Sequence, residues 1–276
     1  MKKSSLTIYG VTLLLAAAAP FAGAADKDAD KKKEDSLQLE EVTVTAQFRS
    51  ESVQAVPLSV TALDTETLEA RGADQLADYA RSVPGLTFAN RGANRSQIII
   101  RGVSPITGEA AVGLYLDGIG QSNAFNNPDY RLFDVQRVEV LRGPQGTLYG
   151  EGSLGGTIKI LTTPPNTEKF ESKLQFTGSD TSNGGFNSAV NGLVNIPLST
   201  DRVALRLSGF NRDESGWIDN RFDGDKNIND LKSYGGRAAL LVKPTDDFDI
   251  QGIINPGAAH QFGDALVLAV QFGVPF

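Results

Sequence analysis

The spacing of hydrophobic and polar residues changes several times along the chain. Leu6 to Ala19 is an apolar run interrupted only by Thr7, Tyr9, Gly10 and Thr12, and it ends at Pro20. It is too short to anchor in a bilayer. Lys2 and Lys3 precede it and Ala22-Gly23-Ala24 follow it. That order of charge, apolar core and small residues predicts a signal peptide over 1–24. Asp26 to Ser36 then alternate Lys, Asp and Glu with almost nothing apolar, which predicts a solvated tether spanning 25–47. Within it, Leu39, Glu40, Glu41, Val42, Thr43, Val44, Thr45 and Ala46 form a β-branched segment in which Val42 and Val44 alternate with Thr43 and Thr45. Such a segment fits a strand that joins the edge of another protein's sheet. It fits equally the first strand of the domain that follows.

Residues 48–165 read as a compact α+β domain. Asp64 and Thr65 are placed to cap a short helix over Glu66 to Arg71. A second helix is predicted over Asp74 to Ser82, stopped by Pro84-Gly85. Strand patterns follow at Gln97–Val103, Val112–Leu116, Val135–Leu141 and Gly156–Thr162, with a turn at Asp117-Gly118. Pro164-Pro165 closes the unit.

From 166 to 276 the period becomes two. Phe170, Leu174 and Phe176 alternate with Glu171, Lys173 and Gln175. Val190, Val194 and Ile196 alternate with Asn191 and Asn195. Val203, Leu205 and Leu207 alternate with Arg202, Ala204, Arg206 and Ser208. Similar runs occur at Arg237–Lys243 and Phe248–Ile254. Strands of this kind between Gly, Asn and Asp turns are the pattern of a membrane β-barrel, although alternation alone fits a soluble antiparallel sheet as well. In the last run Leu266, Leu268, Val270, Phe272, Val274 and Phe276 share a face. A terminal aromatic there resembles the signal that outer-membrane assembly machinery reads.

Composition removes several chemistries. The chain has 276 residues, a formal net charge of -7, no cysteine and one histidine, His260. Disulfides, thiolate nucleophiles and Cys- or His-based metal sites are excluded, and the acidic balance gives no reason to expect nucleic acid. Gly150 to Gly155 matches G-x-G-x-x-G, but it leads into the strand pattern Thr157 to Leu161, whereas a dinucleotide site needs a helix there. Asp223 to Asn229 is similar to a calcium loop but has Ile228 and Tyr234 where the glycine and the final acid belong, so a polar hairpin loop is expected. One terminal histidine makes no triad. Neither an enzyme nor a bound cofactor is expected.

Taken in order, these strings resemble the TonB-dependent outer-membrane receptors. Leu39 to Ala46 resembles the TonB box. Val56 to Leu63, Leu76 to Asp78 and Val83 to Leu86 look like the opening of the plug domain, and Ile100 to Val103 and Tyr115 to Gly118 are similar to its central strands. The most specific match is Val138-Glu-Val-Leu-Arg-Gly-Pro-Gln-Gly-Thr-Leu-Tyr-Gly150 followed by Gly155 to Ile158. The resemblance implies an α+β plug domain followed by antiparallel transmembrane β-barrel strands in the bacterial cell outer membrane, with the plug facing the periplasm. It implies uptake of a ligand such as an iron chelate, cobalamin or a carbohydrate, energised through TonB and the inner-membrane complex. It also implies that Arg101 and Arg142, both expected to be partly buried in strands, make the plug–barrel contact. Family barrels have about 22 strands, whereas 166–276 supply roughly six of typical length. The barrel is therefore expected to be incomplete, through truncation or internal deletion, with the terminal strand favouring deletion. Arg101 and Arg142 are then expected to be exposed or to pair only with plug carboxylates such as Glu139. The alternative reading is a non-transporting fragment, or a secreted plug-like protein that engages TonB.

Overall fold

A computed structural model describes residues 9–13, 43–44, 51–52, 54, 58–73, 75–90, 95–105, 108–124, 127–128, 130, 132–150, 152–245, 248–259 and 263–273. The charged run 26–36, the residues of the Leu39–Ala46 segment other than Thr43 and Val44, His260 and the terminal Phe276 lie outside them, as do most of residues 1–24. Of residues 1–24, only β1 (Tyr9–Leu13) is described. Next come β2 (Thr43–Val44) and β3 (Glu51–Ser52), paired with each other.

The compact unit begins with β4 (Ser59–Asp64) and α1 (Thr65–Ala70). Asp64 ends the strand and caps the helix, its carboxylate accepting the Thr67 N–H at 2.8 Å. α2 (Leu76–Ala80) starts two residues later than predicted, because Gln75 and Asp78 form a reciprocal capping box. β5 (Leu86–Asn90), β6 (Arg95–Ile100), β7 (Val112–Leu116), β8 (Ile119–Gly120) and β9 (Asn127–Pro128) follow. β10 (Val135–Arg142), α3 (Gly146–Tyr149) and β11 (Gly156–Thr162) complete the unit. The central sheet has the order β4-β10-β11-β7-β8, mixed because β11 and β7 run parallel. One of its faces, with Val138, Val140, Ile158, Ile160 and Leu114, packs on Leu68, Leu76, Tyr79 and Ile100. These apolar side chains are withdrawn from water between sheet and helices, the main favourable contribution to the fold.

The second unit is a long-stranded antiparallel sheet. Its strands are β12 (Glu171–Asp180), β13 (Phe186–Ser199), β14 (Val203–Glu214), β15 (Leu231–Thr245), β16 (Phe248–Ala259) and β17 (Gly263–Gly273). They pair in chain order, and β1 adds to the outer edge of β12, so the described sheet runs from β1 to β17 without pairing back on itself. Its burial is inverted relative to a soluble sheet. Leu174, Phe176, Val190, Leu207 and Leu240 are exposed, while Asn191, Asn195, Arg206 and Arg237 are buried beside Ala204 and Ala239. An apolar outer face and a polar inner face are what a transmembrane barrel wall requires, since lipid contacts the outside only. The connection at 200–202 is short, and the one at 215–230 on the opposite end is long and held by its own hydrogen bonds, such as those from the Trp217 and Ile218 N–H groups to Asn229 Oδ1. The polar hairpin loop expected at 223–229 is the tip of this connection.

Candidate functional site

Two regions join chemistry-bearing residues: the docked N-terminal strand and the junction between the compact unit and the large sheet. Of the segment 39–46, Thr43 and Val44 are described. They pair with Ser52 and Glu51, and Val44 is 0% exposed. Val44 clusters with Leu141 and Tyr149, and Leu58, Val60, Ala62 and Tyr115 pack around them. In this structure, then, this part of the segment lies against the second face of the central sheet. Tyr149 is held over that face because the short helix α3 turns it inward. The Tyr115 hydroxyl donates to the Tyr149 carbonyl, and the two rings lie 5.3 Å apart.

Beneath this cover lies a buried charge cluster. Glu139, 0% exposed, accepts a hydrogen bond from Arg137 Nε at 2.7 Å and sits 3.3 Å from Lys159 Nζ. The Lys159 ammonium also lies 5.8 Å from the centre of the Tyr149 ring. Burial pulls the Lys159 pKa below its ordinary value, with Glu139 opposing the shift. Burial, helped by the Glu139 charge and then by Tyr115, pushes the Tyr149 hydroxyl up to about 12.

Arg101 is not where its strand context suggests, whereas Arg142 lies half-buried at the end of a strand. β6 ends at Ile100, and Arg101 adopts a positive φ of 54° ahead of Gly102, which lifts its side chain out into solvent. Its backbone N–H donates to the Gly85 carbonyl at 2.8 Å. Arg142 is the last residue of β10 and its Nη1 reaches the Pro84 carbonyl at 3.4 Å. Its Nε is buried without a hydrogen-bond partner among the described residues. Neither guanidinium makes an ion pair with a described carboxylate of the large sheet.

The junction instead runs with the opposite polarity: a carboxylate of the compact unit is held by arginines of the sheet. Asp134, with a side chain 1% exposed, takes Arg206 in a two-pronged contact, Nε at 2.9 Å and Nη2 at 2.6 Å. Arg237 Nη2 donates to its other oxygen. Arg206, 5% exposed, also reaches Glu171 at 3.0 Å. Arg237, 6% exposed, donates to Thr162 Oγ1 and to the Thr163 carbonyl. Thr162 in turn donates through its N–H and hydroxyl to Asp117, at 2.8 and 2.9 Å. The acids and the arginines therefore alternate: Asp117, Arg237, Asp134, Arg206, Glu171. Ile119 packs beside them on Ala239 and Ile253, and Asn195 ties down the exit chain at Asn166 and Lys169. Sequence reasoning missed this junction. Its one visible signal was an arginine at an inward position of each of two alternating strands, and nothing in the spacing said which acid would meet them.

This arrangement offers strand docking and charge-paired anchoring, with no nucleophile–base pair in it. Among the described residues no cluster of acids or histidine could hold a metal ion. No described helix is long and apolar enough to cross a membrane, which says nothing about strands.

Comparison with known proteins gives consistent matches. The family model described as TonB-dependent Receptor Plug Domain matches residues 52–157. The pesticin receptor of Yersinia enterocolitica is 31% identical over 222 residues, covering 79% of this chain and 32% of that protein. The iron-regulated outer membrane virulence protein of Vibrio cholerae is 30% identical over 209 residues, covering 70% of this chain and 31% of its own. The crystal structure of the ferric yersiniabactin uptake receptor from Yersinia pestis superposes with a TM-score of 0.63 at 27% identity, over 73% of this chain and 32% of that one. The chain thus spans about a third of the length of the curated relatives it matches.

Proposed function

As the chain belongs to the TonB-dependent outer-membrane receptors, we propose that it serves TonB-energised uptake of an iron chelate rather than catalysis. The observation that carries this is the pairing of a plug fold with strands of inverted burial, joined through a buried, charge-matched junction. The ligand class is carried over from the relatives, whose names include the ferric yersiniabactin uptake receptor and the pesticin receptor. On this reading 1–24 is the signal peptide, 25–47 the tether with the TonB box, 48–165 the plug domain and 166–276 the barrel portion. The segment Leu39 to Ala46 pairs with TonB as an added strand, TonB belonging to the inner-membrane energising complex. Because Val44 is buried on the plug, the box has to undock before it pairs.

Val44→Pro tests this. Proline removes a backbone donor and cannot extend the ladder. Binding of the C-terminal domain of TonB to the exported chain is expected to be lost in this variant. Unchanged affinity would sink the assignment.

A second reading starts from the strands β12 to β17, which pair in chain order and do not pair back on one another among the described residues. An open edge in hydrocarbon leaves unpaired N–H and C=O groups that cost several kcal/mol each. On that reading the chain engages TonB without transporting. Fractionation, heat-modifiable migration and uptake in a receptor-null strain separate the two. A heat-modifiable monomer in the outer membrane that restores iron uptake supports transport by this chain, and its absence supports the second reading.

A further inference from the structure

Tyr149 owes its place over the second face of the central sheet to groups beneath it as much as to its own helix. α3 is a single turn, Gly146–Tyr149, too short to hold its shape unaided. Glu139, Lys159 and Tyr115 stand in register across β10, β11 and β7, and Leu141, Thr157 and Gly113 form the next row on the same face. A Cβ at Gly113 would lie 3.0 Å from Tyr115 Cε2 and 2.7 Å from Ser153 Oγ. The Tyr115 ring therefore leans over the space that Gly113 leaves, where it packs against the cluster of Val44, Leu141 and Tyr149. From there its hydroxyl donates to the Tyr149 carbonyl at the end of α3. Carbonyls at a helix end have no partner inside the helix, so this bond ties the end of the turn to β7. A second hold acts on the ring. The Lys159 ammonium lies 5.8 Å from its centre, and Glu139, itself gripped by Arg137, keeps the ammonium there.

We infer that Tyr115 is a positioning residue for the N-terminal segment. Its hydroxyl, given room by the glycine at 113, holds Tyr149 where that ring closes over Val44, and thereby sets how often residues 43–44 are free of the plug. The backbone of Tyr149 and its ring are held by separate groups, so the hydroxyl can be removed while the ring contact with Lys159 stays. Thr157, opposite Gly113, and Leu141 beyond it form the floor on which the cover rests. That the freed segment is then taken up by TonB rests on the receptor reading above, whereas the hold on Val44 does not.

The chain has no cysteine, so a thiol introduced by Val44→Cys reports on this one position. Val44 is 0% exposed, and a buried thiol reacts with a maleimide only while it is uncovered. The labelling rate of the full chain in detergent, without TonB or ligand, therefore measures how often the segment is free. Its outcome is readable even if the receptor assignment fails. Tyr115→Phe removes only the hydroxyl, and the rate should rise about three- to tenfold, the weight of one hydrogen bond. Labelling of Val138→Cys, on the first face of the same sheet, should not change, whereas a general loosening of the plug would raise it. In a chain that already carries Tyr149→Ala, Tyr115→Phe should add nothing, because its effect runs through Tyr149. Gly113→Ala, which pushes against Tyr115 and Ser153, serves if the first variant does not fold, and should raise the same rate. An unchanged rate at position 44, a matching rise at position 138, or a full further rise in the Tyr149→Ala chain would each overturn the inference.

Discussion

If Val44 is held closed by its dock, weakening the dock should tighten binding of TonB. The cleanest perturbation leaves 39–46 untouched and removes the cover, Tyr149→Ala. Full burial of a valine side chain is worth about 1.5–3 kcal/mol. Tyr149 supplies one wall of the site, with Leu141 and the partly buried Leu58, Val60 and Ala62 forming the rest. Losing that wall should forfeit about half the docking free energy, roughly 0.8–1.5 kcal/mol, which at the upper end is about tenfold in the docked-to-undocked ratio. Apparent affinity scales with the fraction of molecules in the competent state. The dissociation constant for the C-terminal domain of TonB should therefore fall by up to about tenfold in Tyr149→Ala, and should approach that of a free peptide spanning 39–46. Calorimetric titration of the full chain in detergent measures this, with the peptide as the reference. The same substitution opens a cavity that costs the plug about 3–5 kcal/mol, so circular dichroism must show it still folded, and Tyr149→Leu offers a milder version. A folded variant that binds TonB no more tightly, or less tightly, would refute the docking argument.

Other outcomes follow from individual contacts. A Cβ on Gly156, which has φ +151°, would land on the Leu141 carbonyl oxygen and 3.0 Å from Ile100 Cδ1. Gly156→Ala should therefore destabilise the plug by about 2–5 kcal/mol in urea unfolding. Glu139→Gln leaves the Lys159 ammonium buried without its charge partner and should cost about 3–5 kcal/mol, much of it recovered by adding Lys159→Met. Burial raises the Asp117 pKa above 3.8 despite its hydrogen bonds from Thr162 and the nearby Arg237. A raised folded-state value means that its stabilising contribution is complete below 3.8 and is lost as pH rises through the folded value. Asp117→Asn should flatten that part of the melting-temperature profile, and an unaltered slope there would contradict the assignment.

Local chemistry made much of this protein legible from its residues. Asp64 announces a helix start because a short carboxylate can accept an N–H of the first turn, and it does so. The period-two runs after 170 became strands because alternation fits only one backbone geometry, although β14 runs on to Glu214 and β15 begins at Leu231, several residues outside the predicted runs. The direction of those strands was not legible. Alternation says which residues share a face, and only packing shows that the polar face with Arg206 and Arg237 is the buried one and the face with Phe176 and Leu207 is exposed. Arg101 was misplaced because an apolar run before it reads as continuing strand, whereas Arg101 and Gly102 take positive φ. Val44 read equally as a tethered strand or a domain strand, and contacts with Leu141 and Tyr149, about a hundred residues away, place it on the plug. The anchor at Asp134 was the least visible feature. Its partners lie 72 and 103 residues away along the chain, and a charge pair leaves no local pattern when its members are joined only by the way two sheets meet.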